Sequence, residues 1–220
     1  MTKSLPPSII LHQMEIGPLQ NFIYFIGDPQ TNEIAVIDPA WEVKYLRREA
    51  EKHNYKITNI FLTHGHPDHV NGLEELLSAH DVPVYISKHE ANYYMPHCKN
   101  LHKVEEGEKL RVGKIEFECV LTPGHTPGCQ CFKHGDVLIS GDAMFIDGCG
   151  RCDLPGGDAR VMYNSLYNVI LKLPDSTIIY PGHNYGPTPF ATLKSQKKTN
   201  PYLQCASERE FLEQRMGIFL

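Results

Sequence analysis

Residues 63–69 read Thr-His-Gly-His-Pro-Asp-His, and this stretch directs the interpretation of the whole chain. His64 and His66 lie two positions apart, so on an extended backbone both imidazoles lean to the same side and can bind one ion. Asp68 and His69 follow where a helix begins, and there they can bind a second ion beside the first. Two imidazoles do not close a tetrahedral site, so more distant ligands are required.

Three later loops each follow a predicted strand and present one residue of a metal-binding type. Their sequences are Thr122-Pro123-Gly124-His125, Ser140-Gly141-Asp142 and Pro181-Gly182-His183. A single Gly-His or Gly-Asp pair is usually part of a turn. Together, however, His125 can complete the first site and His183 the second, while the two oxygens of Asp142 can bridge both ions. A coordination position left open for water is typical of catalytic metal sites.

The seven candidate ligands resemble the signature of the metallo-β-lactamase superfamily, an HxHxDH motif followed by a later His, a later Asp and a final His. The resemblance covers about Ile9 to Tyr185. It implies an α/β protein of the α+β type, folded as a four-layered αβ/βα sandwich with its metals at one edge of the paired sheets. The implied ligands are His64, His66 and His125 for the first metal, Asp68, His69 and His183 for the second, and Asp142 for both.

Two divalent metal ions are the expected cofactors, with zinc as the first choice and iron or manganese as alternatives. Asp68 is our candidate catalytic residue, because its carboxylate can orient a water molecule in addition to binding metal. The superfamily motif does not determine the substrate, since one fold and one metal site support many reactions.

Two local segments are similar to glyoxalase II, the hydroxyacylglutathione hydrolase. Gly148-Cys149-Gly150-Arg151 resembles its Gly-Cys-Gly-Lys/Arg segment, and His183-Asn184-Tyr185 resembles its His-x-Tyr. This resemblance implies that Arg151 and Tyr185 contact a glutathione substrate, and a guanidinium is well shaped to bind a carboxylate. Asp153 stands where glyoxalase II usually has an aromatic residue, and the long C-terminal helical domain of that enzyme is absent. The segments Gly156-Gly157-Asp158 and Thr199-Asn200-Pro201 resemble a shorter bacterial branch of glyoxalase II-like hydrolases.

We expect a metal-dependent hydrolase that cleaves a glutathione thioester such as S-lactoylglutathione, using a hydroxide activated between the metals. The alternative is a glutathione persulfide dioxygenase, because such enzymes share the short architecture and the Gly-Arg-x-Asp pattern found at residues 150–153. A dioxygenase of this type would use one iron held by His64, His125 and Asp142, and two histidines with one carboxylate suit oxygen chemistry.

Bulk properties limit the partners. The 220 residues carry a net charge of −5, which does not favour nucleic acid as a partner. The N-terminal segment lacks the apolar region of a secretory signal, no apolar run is long enough to span a bilayer, and seven cysteines are an odd number. We therefore expect a cytoplasmic protein with reduced thiols, no membrane partner and a small glutathione conjugate as ligand; a homodimer is left open.

Hydrophobic periodicity predicts strands interspersed with helices, which favours a mixed layered domain over a doubly wound parallel sheet. We expect a single domain spanning residues 1–220, with a short helical tail from about residue 187. The predicted strands are 9–16, 22–26, 33–37, 57–63, 82–86, 130–132, 137–139 and 177–180, together with a hairpin over 110–121 that turns at Gly113-Lys114. Helices are predicted after Asp38-Pro39, behind the histidine stretch, after Asp158 and after Ser207.

Overall fold

The computed structural model describes residues 9–217 and contains two six-stranded sheets. The first sheet has the strand order β1-β2-β3-β4-β5-β6, with bounds Ile10–Ile16, Asn21–Asp28, Glu33–Ile37, Lys56–Phe61, Val84–Ser87 and Leu101–Val104. The second sheet has the order β12-β11-β10-β9-β8-β7, and the bounds of β7 to β12 are Lys109–Val112, Ile115–Leu121, Gln130–His134, Val137–Gly141, Ile178–Pro181 and Ala191–Thr192.

Six α-helices accompany the sheets in the described part of the chain. They are α1 Val43–Lys52, α2 Pro67–Val70, α3 Leu73–Ala79, α4 Ala159–Asn164, α5 Leu193–Thr199 and α6 Glu208–Met216. Strand β2 is antiparallel to both of its neighbours, β1 and β3, whereas β3 to β6 are all parallel. In the second sheet β7 to β10 are antiparallel, β11 is parallel to β10, and β12 is antiparallel to β11.

Three apolar layers separate four layers of secondary structure. Between the sheets, the fully buried Phe61 of β4 and Phe132 of β9 lie with ring centroids 5.0 Å apart. Outside the first sheet, side chains of β2 and α1 such as Phe25 and Leu46 share a second cluster. Helices α4 and α6 cover the second sheet in a third cluster. The four-layered sandwich is confirmed, because each sheet buries one face on the other sheet and one on helices.

Helix α4 continues in a wider turn than the sequence predicts. After Asn164 the chain forms a π-helical turn at Ser165–Val169 and a 3₁₀ turn at Ile170–Lys172. Met162, Leu166 and Ile170, all fully buried, are spaced four residues apart, which exceeds the 3.6 residues of an α-helical turn. The wider π turn therefore keeps all three side chains on the sheet.

Asp158 begins α4, and its side chain supports a stability prediction. Its Oδ1 accepts hydrogen bonds from the backbone N–H of Arg160 at 2.8 Å and of Val161 at 3.1 Å. Asp158→Ala should lower the free energy of unfolding by about 1 kcal/mol in urea denaturation, because both donors lose their acceptor. Asp158→Asn is the control and should retain most of the stability, since asparagine is an equally good N-cap. Equal losses in both variants would contradict this role.

Strands β6 and β12 and the bounds of α5 are absent from the sequence-based expectations. In β6 only Val104 is fully buried and His102 and Lys103 are exposed, so the segment has no apolar alternation to indicate a strand. It is extended because it pairs in parallel with β5 at the sheet edge. Within residues 9–217, no helix combines the length and apolar character that a membrane crossing needs.

Candidate metal centre

The loops that carry the candidate ligands meet at one edge of the sandwich. Strands β8, β10 and β11 point in the same direction, so their carboxyl ends lie side by side. The end of β4 in the other sheet is joined to them, because Gln130 N donates to Thr63 O at 3.0 Å. Gly182 N donates to Gly141 O at 2.8 Å and sets the last two loops against each other. Loops up to more than a hundred positions apart in sequence are thus adjacent in space.

His64, His66 and His125 form the first group of ligand atoms, and all three side chains are buried. His64 Nε2 lies 3.1 Å from His66 Nδ1. Two nitrogens bound to one tetrahedral zinc at about 2.0–2.1 Å lie about 3.3 Å apart, so this spacing fits a shared ion. His125 Nε2 is buried without a hydrogen-bond partner, which an apolar interior would penalise. The group fits a divalent metal.

Asp68, His69 and His183 form the second group. His69 Nε2 lies 3.2 Å from His183 Nε2, and Asp68 Oδ2 lies 3.4 Å from His183 Nε2 and 3.6 Å from His69 Nε2. These distances also fit the edges of a tetrahedron around one ion. Asp68 is the more open ligand, with its side chain 22% exposed, so it faces the mouth of the site.

Asp142 lies between the two groups. Its Oδ2 is 3.4 Å from Nε2 of both His125 and His183, and its Oδ1 is 3.4 Å from His69 Nε2. Burial alone would raise the pKa of Asp142, but His69, His183 and His125 hold it well below the usual range of a carboxyl. The carboxylate is therefore ionised and contacts both groups, as a bridging ligand requires.

Four of the five histidines are oriented by a hydrogen bond from the nitrogen that faces away from the centre. His69 Nδ1 donates to Asp38 Oδ2 at 2.9 Å, His125 Nδ1 to Arg151 O at 2.7 Å, and His183 Nδ1 to Leu19 O at 2.8 Å. His64 Nδ1 donates to Thr63 Oγ1 at 3.0 Å, and Thr63 Oγ1 donates to Asp38 Oδ2 at 2.6 Å. These bonds direct the Nε2 lone pairs inward, as in metal sites.

The pKa values of four of these histidines are shifted, downward for His64 and His66 and upward for His69 and His183. Burial, together with neighbouring histidines, lowers the pKa of His64 well below its usual value and that of His66 to about 4. Both imidazoles are therefore neutral at pH 7 and able to bind metal. Burial would also lower the pKa of His69 and His183. For His69 the carboxylates of Asp142, Asp38 and Asp68 together overcome burial and raise the pKa to about 9, and for His183 the charge and hydrogen bond of Asp142 together with Leu19 O raise it. In the metal-free chain, a proton on the second group offsets the negative charge of the nearby carboxylates. A bound cation would supply this positive charge instead.

Two glycines permit the close approach of these loops. A Cβ on Gly182 would clash with Asp142 Oδ1, and one on Gly150 would clash with the backbone carbonyl oxygen of Asp142. Neither position can accept a side chain without moving Asp142. The Pro-Gly-His and Cys-Gly-Arg patterns of the sequence thus have a packing reason as well as a turn function.

Sequence reasoning missed four residues that support the centre, namely Asp38, Asn21, Trp41 and Glu90. Asp38 was identified only as the end of a strand, yet its carboxylate binds both His69 and Thr63. Asn21 Nδ2 donates to Asp68 Oδ2 at 3.0 Å and Trp41 Nε1 donates to Asn21 Oδ1 at 2.8 Å, which fixes the more open ligand. Asp38 follows a strand, as the metal ligands do, so its position in the sequence could have identified it. No sequence pattern distinguishes Asn21, Trp41 or Glu90.

Glu90 is a buried carboxylate, 4% exposed, that joins two ligand loops of the first group. Its Oε2 accepts hydrogen bonds from Gly65 N at 3.1 Å and Thr126 Oγ1 at 2.8 Å, and its Oε1 accepts one from Ala91 N at 2.8 Å. Gly65 lies between two histidine ligands, and Thr126 follows His125. Glu90 therefore positions the first group without touching its ligand atoms.

Glu90→Gln should weaken metal binding at the first group by about tenfold, because a glutamine amide cannot accept at both ends and faces one donor with another donor. Competition with a chromophoric chelator measures the affinity of each bound equivalent. Glu75→Gln is the control, since Glu75 is an exposed residue of α3. Unchanged affinity for both equivalents in Glu90→Gln would contradict the positioning role.

The two expected substrate contacts are placed differently. The Tyr185 ring is stacked on His183 with centroids 4.7 Å apart and an interplanar angle of 10°, and it contacts Phe145 at 5.4 Å. It is 54% exposed, so it forms a wall beside the second group. The Arg151 side chain is 60% exposed and bound by Asp153 through two hydrogen bonds, of 3.0 and 2.7 Å. Any substrate carboxylate at Arg151 would compete with Asp153.

The family model for the metallo-beta-lactamase superfamily matches residues 16–183, which contain all seven candidate ligands. The chain belongs to this superfamily of metal-dependent enzymes. Its fold agrees with a solved relative, the crystal structure of ETHE1 from Myxococcus xanthus, with a TM-score of 0.86 and 31% identity over 95% of this chain and 92% of that one.

Three curated relatives differ in their stated activities. The chain is 33% identical to the probable polyketide biosynthesis zinc-dependent hydrolase BaeB of Bacillus velezensis, over 93% of this chain and 89% of that protein. It is 33% identical to the human mitochondrial persulfide dioxygenase ETHE1, over 93% of this chain and 80% of that protein. It is 35% identical to the hydroxyacylglutathione hydrolase of a Polaromonas species, over 76% of this chain and 63% of that protein. The superfamily is shown, but these relatives leave the reaction open.

Proposed function

We propose that this protein is a two-metal hydrolase that cleaves a thioester of glutathione or of a related small thiol. The observation that carries the proposal is the second ligand group, in which His69 and His183 are each tied at Nδ1 and face each other through Nε2 at 3.2 Å. A single ion held by His64, His125 and Asp142 would not use this pair of nitrogens as ligands, although such dioxygenases often keep them. Asp142, in contact with both groups, supports two adjacent ions.

Bound divalent cations supply Lewis acidity, which lowers the pKa of a water in the site and stabilises negative charge on the carbonyl oxygen under attack. The side chains of this protein orient the reactants. Asp68 is held by Asn21, and as the most exposed ligand it is placed to accept a hydrogen bond from the attacking water. A thiolate leaves readily, since its thiol has a pKa of about 8.5, so no strong general acid is required.

Tyr185 and Phe145 form an aromatic wall on the side of the second group, which gives the substrate an apolar surface to lie against. We propose that Tyr185 contacts the thiol portion of the substrate and that Arg151 binds its carboxylate after exchanging it for Asp153. All seven cysteines are free within residues 9–217. Unpaired thiols support a reducing compartment, and we propose the cytoplasm.

The test is a pair of assays on one protein preparation of defined metal content. Metal-free protein is loaded either with zinc or, under anaerobic conditions, with iron(II), and the bound equivalents are counted by elemental analysis. We expect two equivalents per chain and release of free thiol from S-lactoylglutathione. One equivalent per chain with no thiol release would overturn the proposal.

A glutathione persulfide dioxygenase is the second candidate, favoured by the 33% identity to persulfide dioxygenase ETHE1 and by Gly150-Arg151-Cys152-Asp153. Its single iron would be held by His64, His125 and Asp142. His125 Nε2 lies 3.4 Å from Asp142 Oδ2, which is compatible with a shared ion. Oxygen consumption by the iron-loaded protein on addition of glutathione persulfide, with no thioester cleavage, would select this reaction.

A further inference from the structure

A separate group of metal-binding side chains lies on the outer face of the first sheet. It consists of His12 in β1, Glu49 in α1 and His53 at the C-terminal end of that helix. One ligand-type atom from each residue lies within 4.8 Å of the others. These elements carry none of the seven ligands described above, so the group is independent of the candidate metal centre.

The three side chains face one another for structural reasons. Glu49 and His53 are four residues apart and share one face of the chain at the end of α1, and Glu49 Oε2 lies 3.7 Å from His53 Nε2. His12 lies opposite Phe25 in the β1–β2 register and packs edge-on against it on the face that α1 covers. The His12 and His53 rings are 5.2 Å apart at 87°.

We propose that His12, Glu49 and His53 form a third metal site, which binds a transition-metal ion such as Zn²⁺. Two imidazoles and one carboxylate suit zinc, nickel or copper and do not suit magnesium or calcium, which prefer oxygen ligands. Three protein ligands leave the fourth tetrahedral position to water. The binding step is a simple exchange, in which the ion displaces water and any proton on the imidazoles.

Local contacts partly preorganise this site and partly oppose it. His53 is stacked on Tyr55 with centroids 5.3 Å apart, which fixes the plane of its ring, and the Glu49 side chain is only 14% exposed. Lys52 Nζ forms an ion pair with Glu49 Oε2 at 3.1 Å, which competes with a metal for the carboxylate. Lys52 is 65% exposed, and such surface pairs contribute little free energy. The ligand atoms must also move closer than 4.8 Å. We therefore expect this site to bind metal with lower affinity than the candidate metal centre, which is the main centre of the protein.

Binding at this position would connect strand β1 and helix α1 through a shared ion. Within residues 9–217, β1 is the edge strand of its sheet and pairs with β2, whereas α1 lies over that sheet. An ion shared by β1 and α1 fixes the edge strand to the helix, and because it binds only the folded chain it stabilises the fold by mass action.

The test is a zinc titration of metal-free protein, with bound equivalents counted by equilibrium dialysis and elemental analysis. The wild type should bind one weaker equivalent beyond those of the main centre, and that equivalent should raise Tm by about 5 °C at zinc a hundredfold above its Kd. His53→Ala and Glu49→Gln should each lose the weaker equivalent and its Tm increment. Both variants should keep the tight equivalents and their thioester activity.

His80→Ala is the matched control, because His80 ends α3 as His53 ends α1 and belongs to none of the ligand groups found in the described residues. It should keep the weaker equivalent. Absence of that equivalent from the wild type, or its persistence in both His53→Ala and Glu49→Gln, overturns the proposal. Neither result depends on which reaction the main centre performs.

Discussion

Replacing Asp142 with alanine should lower kcat/KM for a thioester by about 1,000-fold or more, the largest effect we expect from one side chain. Among residues 9–217, Asp142 is the one residue whose oxygens lie 3.4 Å from nitrogens of both ligand groups. Its loss removes the shared anion and leaves three imidazoles, with no carboxylate, as the whole of the first site. Elemental analysis of the purified variant should show that at least one metal equivalent is lost.

Two further variants show whether the loss of activity comes from the charge and the position of Asp142. Asp142→Asn keeps the size of the side chain but removes its charge, and it should lose metal and activity nearly as strongly. Asp136→Ala is the control, because Asp136 precedes β10 as Asp142 follows it and its carboxylate accepts a surface hydrogen bond from Ser176. Circular dichroism checks that each variant is folded. A folded Asp142→Ala enzyme with two metals and wild-type turnover would refute the assignment of the centre.

His183→Ala should lower thioester turnover by about 100-fold or more, because the second ion loses one of its ligands and a two-metal reaction needs both ions. The variant should retain one metal equivalent on the first group. Free thiol released from S-lactoylglutathione measures the turnover. His102→Ala, an exposed histidine of β6, is the control and should behave like the wild type.

The same variant separates the two candidate reactions. A dioxygenase that uses His64, His125 and Asp142 does not require His183, so its oxygen uptake with glutathione persulfide should persist. Thioester hydrolysis lost together with one metal supports the proposed hydrolase. Oxygen uptake that survives in His183→Ala, with no hydrolysis in the wild type, would replace the hydrolase with the second candidate.

Local sequence patterns predicted much of the secondary structure correctly. Strand β3 has the predicted bounds, the hairpin of β7 and β8 turns at Gly113-Lys114, and Gly217 ends α6 in a left-handed conformation with φ of 66°. Each of these depends on a few neighbouring residues, through side-chain alternation or the conformational freedom of glycine. Strand β6 was missed because its extended conformation comes from pairing with β5, which its own residues do not encode.

The residue types of the centre could be predicted without a structure, because imidazoles and carboxylates at strand ends are distinctive even when they are far apart in sequence. The orientation of these side chains depends on contacts that exist only in the folded chain. Folding brings the histidines to their hydrogen-bond acceptors, which are the Asp38 carboxylate and the carbonyl oxygens of Leu19 and Arg151. It also places Glu90 between two ligand loops and pairs Arg151 with Asp153. The same holds for His12 beside Glu49 and His53, since a strand and a helix meet there only after the sheet has formed.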